Sequence, residues 1–247
     1  MTKPSLNARL GIQSWCFRAF KTTPQVIAGL RQAGVSNLEI CGVHVNVAQA
    51  PEKTLAEYTA AGITISSFGV NGFNTDEAAA RKVFEFAALA GFPTISADLA
   101  DDGPSLALVE RLCTEFGKKI AIHNHGRKHA LGSVAALERL FAKASPNVGL
   151  CLDTAWALDA GEDPVAMAGK FGTRLYGVHI KDFVFDRAGR PVDVVAGTGN
   201  LNLAVLSAKM QEIRFDGYLT IEYEGDEAAP VPALTKCVEN VRAVFPA

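Results

Sequence analysis

The chain reads as an α/β protein, a single (β/α)8 TIM barrel occupying one domain over residues 1–247. Three observations predict this. Its length of 247 residues suits the about 250 that eight strand–helix units need. Short apolar runs alternate with amphipathic helical patterns from end to end, one pair per ~30 residues, as in parallel α/β architectures. The first strand-to-helix junction, SWCFRAFKTTP, carries no GxGxxG fingerprint, which argues against a doubly wound dinucleotide-binding sheet.

Taken in order, the predicted strands cover residues 10–15, 37–41, 64–68, 94–97, 119–123, 148–152, 175–180 and 218–223. Each is a short run rich in Ile, Val, Leu, Phe or Thr. The predicted helices cover residues 23–33, 56–61, 75–90, 105–116, 133–144, 164–171, 203–213 and 231–244. Gly34, Gly62, Gly91, Gly117 and Gly172 each stand where one of these helices should end, the place of a left-handed cap.

Composition narrows the function classes. With 49% hydrophobic and 20% charged residues, the chain can bury a large core. A net charge of −2 with no basic stripe argues against nucleic acid as a partner. The five cysteines are scattered and form no CxxC pair, so reduced thiols in a reducing compartment are expected. MTKPSLNARLGIQ lacks the apolar stretch of a signal peptide, and no segment approaches the ~20 apolar residues of a membrane span. These features predict a cytoplasmic protein that does not engage membranes.

The chemistry concentrates at strand ends. GLCLDTAW ends on Asp153, LYGVHIKD on His179, YLTIEYEGD on Glu222, and KIAIHNHG offers His123 and His125. In a parallel barrel the carboxyl ends of all strands converge at one mouth, so side chains far apart in sequence can share one ion. Alternate residues of a strand share a face. This predicts a lower tier of His123, Asp153, His179 and Glu222, with His125, Lys181 and Glu224 nearer substrate. Two imidazoles and two carboxylates suit Mn, Co, Fe or Zn better than Ca, and the expected cofactor is one divalent ion, Mn, Co, Zn, Fe or Mg.

Other polar and aromatic positions carry two readings each. Glu39 ends the second strand and is expected to bind a substrate hydroxyl or a basic neighbour. Trp15 and Phe17 would wall a sugar ring or fill core, and Trp156 sits near the same mouth. Lys181 and Asp182 read as an ion pair, with Lys181 as an acid or oxyanion stabiliser the other reading. GTGN at 197–200 reads as a glycine turn or a phosphate cradle. His129 and His44 are loop residues or pocket caps.

LCLDTAWALDAGEDP, YGVHIKDF and DGYLTIEYEG together resemble the xylose isomerase-like barrel superfamily. That group includes sugar phosphate isomerases and epimerases, inosose dehydratases, hydroxypyruvate isomerases and an apurinic endonuclease branch. The resemblance implies one divalent metal held by residues from strands five to eight, which fall on His123, Asp153, His179 and Glu222. From their positions at the mouth, Glu222, His125 and Lys181 are the expected catalytic groups, and Trp15, Glu39, Trp156 and Glu224 the expected substrate contacts.

One departure matters. Where many relatives read AIEN, this chain reads AIHN, so His123 replaces a carboxylate and symmetrical two-glutamate epimerisation is put in doubt. The HxH doublet resembles inosose dehydratases and lyases acting on 3-keto sugars. Tryptophan at 156, where the nuclease branch carries a metal-binding histidine, argues against a multi-metal site.

The expected function is a metal-dependent sugar or sugar phosphate isomerase/epimerase acting through a metal-stabilised enediolate. A lyase or dehydratase on a keto-sugar is the alternative. A catalytically silent sugar-binding barrel and an abasic-site nuclease stand behind both. The expected partner is a small carbohydrate, and a homodimer or homotetramer is expected, since relatives of this type often pair.

Overall fold

The computed structural model describes residues 5–100 and 103–246. The barrel strands are β1 (Leu10–Gln13), β2 (Asn37–Ile40), β3 (Thr64–Phe73), β4 (Thr94–Leu99), β5 (Lys119–His123), β6 (Val148–Asp153), β7 (Leu175–Ile180) and β10 (Tyr218–Ile221). All neighbours pair in parallel, and the sheet closes in the order β1-β10-β7-β6-β5-β4-β3-β2. The expected eight-stranded barrel is therefore the fold, wrapped by α1 (Thr23–Ala33), α2 (Pro51–Ala60), α3 (Glu77–Ala90), α4 (Gly103–Phe116), α5 (Val134–Lys143), α7 (Pro164–Lys170), α8 (Leu203–Glu212) and α9 (Val231–Val244). A short α6 (Thr154–Asp159) follows β6 directly. Among the described residues no helix is long and apolar enough to cross a membrane.

The helices form where the sequence supplies caps. Thr22 and Gln25 make a reciprocal capping box at α1, and Asp76 Oδ1 accepts from the Ala79 amide at 3.0 Å to start α3. Their apolar stripes pack on the outside of the strands, with Leu30, Phe84, Leu112, Leu137, Leu206 and Leu234 fully buried. Burying one such side chain contributes roughly 1.5–3 kcal/mol, and this layer between helices and strands is the main core.

The inside of the barrel is packed differently. Such interiors are normally filled by bulky branched side chains. Here Ser67, Ser96, Ala121, Gly177 and Thr220 leave a cavity of about 290 Å³ that reaches up to Glu39. Small side chains low in the barrel leave the polar groups above without an apolar floor.

Several boundaries differ from the sequence expectation. β1 stops at Gln13 because residues 14–17 turn into a 3-10 helix, which carries Trp15 out of the strand. β3 runs on to Phe73, and α2 begins at Pro51, where proline suits the first helical turn. Gly172 does not take the expected left-handed cap conformation and instead opens a 3-10 turn.

The largest addition is an antiparallel hairpin, β8 (Asp182–Phe185) with β9 (Pro191–Val194), between β7 and α8. DFVFDRAGRPVDV carries the signal for it, two alternating runs around Ala188–Gly189. The expected Lys181–Asp182 ion pair does not form. The Asp182 carboxylate instead accepts from the amides of Gly197, Gly199 and Leu201 at 2.8–2.9 Å. The GTGN loop is thus a backbone cradle, and its occupant is the protein's own Asp182.

Candidate active site

Four strands deliver one ligand-type residue each to the barrel mouth. Asp153 ends β6 in register with His179 of β7, His123 ends β5, and Glu222 follows β10 with its amide bonded to Ile180 O. One nitrogen or oxygen from each of these four buried residues lies within 4.8 Å of the others. His123 Nε2 is 3.0 Å from His179 Nδ1, 3.4 Å from Asp153 Oδ2 and 3.6 Å from Glu222 Oε2. His179 Nδ1 is 2.7 Å from the same Glu222 oxygen.

The electrostatics are those of a concentrated, dry cluster. Burial disfavours a charged His179, but the Cys151 sulfur and the Glu39 and Glu222 carboxylates outweigh it and hold the ring well above its ordinary range. Burial likewise works against an ionised Glu222. The Lys181 charge, with the two imidazoles, holds that carboxyl well below its ordinary range. Asp153 Oδ1 is used structurally, accepting from the Trp156 amide at 2.8 Å to cap α6. Asp153 Oδ2 is buried with no hydrogen-bond partner.

A bare buried carboxylate oxygen is costly unless something else satisfies it. Oriented toward two imidazole nitrogens and a second carboxylate, it fits a divalent cation. The N2O2 donor set matches Mn, Fe, Co or Zn chemistry, and two carboxylates balance the charge.

Above the cluster, Lys181 is only 1% exposed and is ion-paired with Glu224. Its Nζ also lies 3.9 Å from Glu222 Oε1 and 3.8 Å from Asp193 Oδ2. Burial opposes its charge, but the surrounding carboxylates raise its pKa above the ordinary lysine range. Glu224 also accepts from Trp15 Nε1 at 3.1 Å. Trp15, Trp156, His123, His125, Glu222 and Glu224 line one open cavity of about 530 Å³. Burial, reinforced by His123 and His129, pushes the His125 ring down to about 3, so it is neutral at pH 7.

The remaining positions resolve in space. Glu39, expected to face substrate, is 3% exposed and lines the interior cavity below the site instead of the pocket at the mouth. Of its alternative readings, the basic neighbour fits: Glu39 Oε2 lies 3.0 Å from His179 Nε2. His44 Nε2 faces the Phe17 and Phe20 carbonyls, a loop role. His129 Nε2 donates to Asp98 at 3.2 Å, and its Nδ1 accepts from the Leu131 amide.

Sequence reasoning missed Gln13, Asp98 and Asp193. The first two are polar residues at or near strand ends on the site-bearing face, a signal that was available. Asp193 reaches Lys181 only because the hairpin folds back.

Burial, opposed by Lys181, raises the Asp193 carboxyl to about 7. Its unfolded value is about 3.9. A raised carboxyl pKa contributes stability that is fully present below the unfolded value and is lost as pH rises through about 7. Relative to the parent, Asp193→Asn should therefore gain on the order of 2–4 kcal/mol between pH 4 and pH 8, read by urea unfolding of metal-free protein. A stability difference independent of pH would count against this environment for Asp193.

A family model described as a xylose isomerase-like TIM barrel matches residues 28–243. Inosose dehydratase from Geobacillus kaustophilus is 29% identical over 136 residues, covering 49% of this chain and 44% of that protein. The match thus spans less than half the length of that relative. Among solved structures, 3-keto-D-glucoside 4-epimerase YcjR from E. coli aligns with a TM-score of 0.75 at 15% identity, over 95% of this chain and 99% of the other. The IOLI protein, solved with a zinc atom, aligns with a TM-score of 0.75 at 18% identity, over 97% and 100% of the two chains. With the family model covering nearly the whole barrel and the ligand-type residues gathered where that architecture builds its sites, the chain belongs to the xylose isomerase-like TIM barrel family.

Proposed function

We propose that this protein is a divalent-metal-dependent carbohydrate enzyme that removes a proton from carbon beside a carbonyl, as a sugar isomerase or epimerase does. The observation that carries the reading is Asp153 Oδ2, buried with no hydrogen-bond partner and facing His123 Nε2 at 3.4 Å, with His179 and Glu222 closing the same cluster. His123, Asp153, His179 and Glu222 would hold the ion, and a zinc atom in the similarly folded IOLI protein supports a metal here. When bound, a divalent cation supplies Lewis-acid polarisation of a substrate oxygen.

The chain's own residues do the rest. Glu222 presents Oε2 to the cluster and Oε1 toward Lys181, which keeps the carboxyl ionised and able to take a proton. His125, the other expected proton carrier, lines the same cavity as a neutral ring that would accept a hydrogen bond from a substrate hydroxyl, which leaves Glu222 as the base. Trp15 and Trp156 offer flat apolar faces to a sugar ring, and Glu224, fixed by Lys181 and Trp15, accepts from its hydroxyls.

A second reading, a dehydratase or lyase on a keto-sugar, shares this first step and ends by expelling a β-hydroxyl. Two points support it: by the family resemblance, the His123 of AIHN takes the place of the second carboxylate of a two-carboxylate epimerase, and about half of the chain is 29% identical to part of an inosose dehydratase.

Metal-replete protein incubated in D2O with aldoses, ketoses, their phosphates and inososes tests both. Deuterium should enter the carbon beside the carbonyl, and chelation of the metal should stop it. Exchange with mass conserved supports isomerisation or epimerisation, and a product lighter by one water supports the dehydratase. Stoichiometric metal with no exchange on any substrate would overturn the proposal in favour of a silent binding barrel.

A further inference from the structure

We infer that Glu39 is a positioning residue that fixes the tautomer of His179 so that its Nδ1 lone pair is turned to the ligand cluster. The inference rests on the metal reading above and deepens it.

With an ion in the cluster, the geometry leaves one consistent proton assignment. A carboxylate only accepts hydrogen bonds, so the 3.0 Å contact between His179 Nε2 and Glu39 Oε2 places a proton on Nε2. The other ring nitrogen, Nδ1, lies 3.0 Å from His123 Nε2 and 2.7 Å from Glu222 Oε2. Without an ion it therefore also faces a carboxylate and carries a proton, and as the nitrogen inside the ligand cluster it is the one whose proton an ion would displace. A neutral imidazole protonated on Nε2 has its free lone pair on Nδ1, which is what ligation at that point needs.

Glu39 is itself held. Its Oε1 accepts from Gln13 Nε2 at 3.0 Å, and Gln13 Nε2 also donates to the Gly69 carbonyl at 3.0 Å. Gln13 Oε1 accepts from the Trp15 amide at 3.1 Å, so the amide has one orientation and cannot flip without losing three bonds. Gln13 and Glu39 are direct partners in the β1–β2 register, so the backbone presents both side chains from adjacent strand ends. The chain Gln13–Glu39–His179 therefore runs from two strands on one side of the barrel to a ligand on β7.

Glu39→Gln keeps the shape and breaks the logic. If the new amide donates to His179 Nε2, the ring proton moves to Nδ1 and blocks the ligating lone pair. If it accepts instead, its NH2 meets the Gln13 NH2.

The test uses purified full-length protein, stripped and titrated with Mn, and separately loaded with Co. Glu39→Gln should bind Mn about 10–100-fold more weakly than the parent and shift the Co visible spectrum. Equal Mn affinity and an unchanged Co spectrum would overturn the inference while leaving the metal reading intact. A parent protein with no saturable metal binding would overturn both. Should the variant fail to fold, long-range 1H–15N spectra of the zinc-loaded parent decide. His179 protonated on Nε2 supports the assignment, and protonation on Nδ1 refutes it.

Discussion

Asp153→Ala is expected to fold as a barrel and to lose its divalent ion. The substitution removes Oδ2, the cluster oxygen with no hydrogen-bond partner, together with one of two carboxylates that would balance the ion's charge. Removing an outer-shell partner of a metal ligand costs roughly 10–100-fold in affinity, and loss of a ligand should exceed that. Stability pays less, because the bare oxygen goes at the same time as the Oδ1 cap on the Trp156 amide, worth about 1 kcal/mol.

Asp153→Asn separates the two effects, since asparagine caps a helix well but brings no charge. Metal content after dialysis against Mn or Zn is the measurement, with His179→Ala as the companion from the neighbouring strand. Stoichiometric metal in both alanine variants would mean that the ion, if any, binds elsewhere.

Lys181→Met should produce the largest loss of stability among site variants, and the loss should depend on pH. The ammonium is buried among Glu222, Glu224 and Asp193. Methionine fills the volume but leaves those carboxylates facing one another. Breaking a buried ion pair by deleting one partner costs about 3–5 kcal/mol, and the lower end applies here because Glu224 is partly exposed.

The sign follows from linkage. Without the lysine the folded-state pKa values of Glu222 and Asp193 rise, so the variant regains stability relative to the parent as pH falls and those groups take up protons. Urea unfolding at pH 8 and pH 5 should show a smaller difference at the lower pH. Turnover should fall as well, since Glu222 loses the charge that keeps it ionised. A difference under about 1 kcal/mol at pH 8 would show that Lys181 is not balancing buried carboxylates.

Much of the site was legible before any coordinates because a parallel barrel fixes direction. Each strand must end at the same face, so Asp153, His179 and Glu222, ending three successive apolar runs, had to meet. The alternation rule also placed His123 in the cluster and His125 on the pocket wall.

What stayed hidden depended on orientation within a strand end. Glu39 stands one residue before the end of β2 while Asp153 ends β6, and the contacts from Gln13 and His179 hold Glu39 down in the barrel, where small side chains leave room. Nothing in NLEICG distinguishes those two outcomes. The hairpin was legible in principle, but its runs of four residues are short, and the register that brings Asp193 back to Lys181 is a tertiary fact.

The β8–β9 ribbon begins at Asp182, and the same carboxylate grips the loop at Gly197, Gly199 and Leu201 just after the ribbon ends. Entry and exit are thus tied in one knot of hydrogen bonds. The ribbon is in effect a cassette: its tip can lengthen, shorten or change character over generations while the closed strands beneath keep their shape. Specificity in such a scaffold can drift at the rim without placing the ion-holding floor at risk.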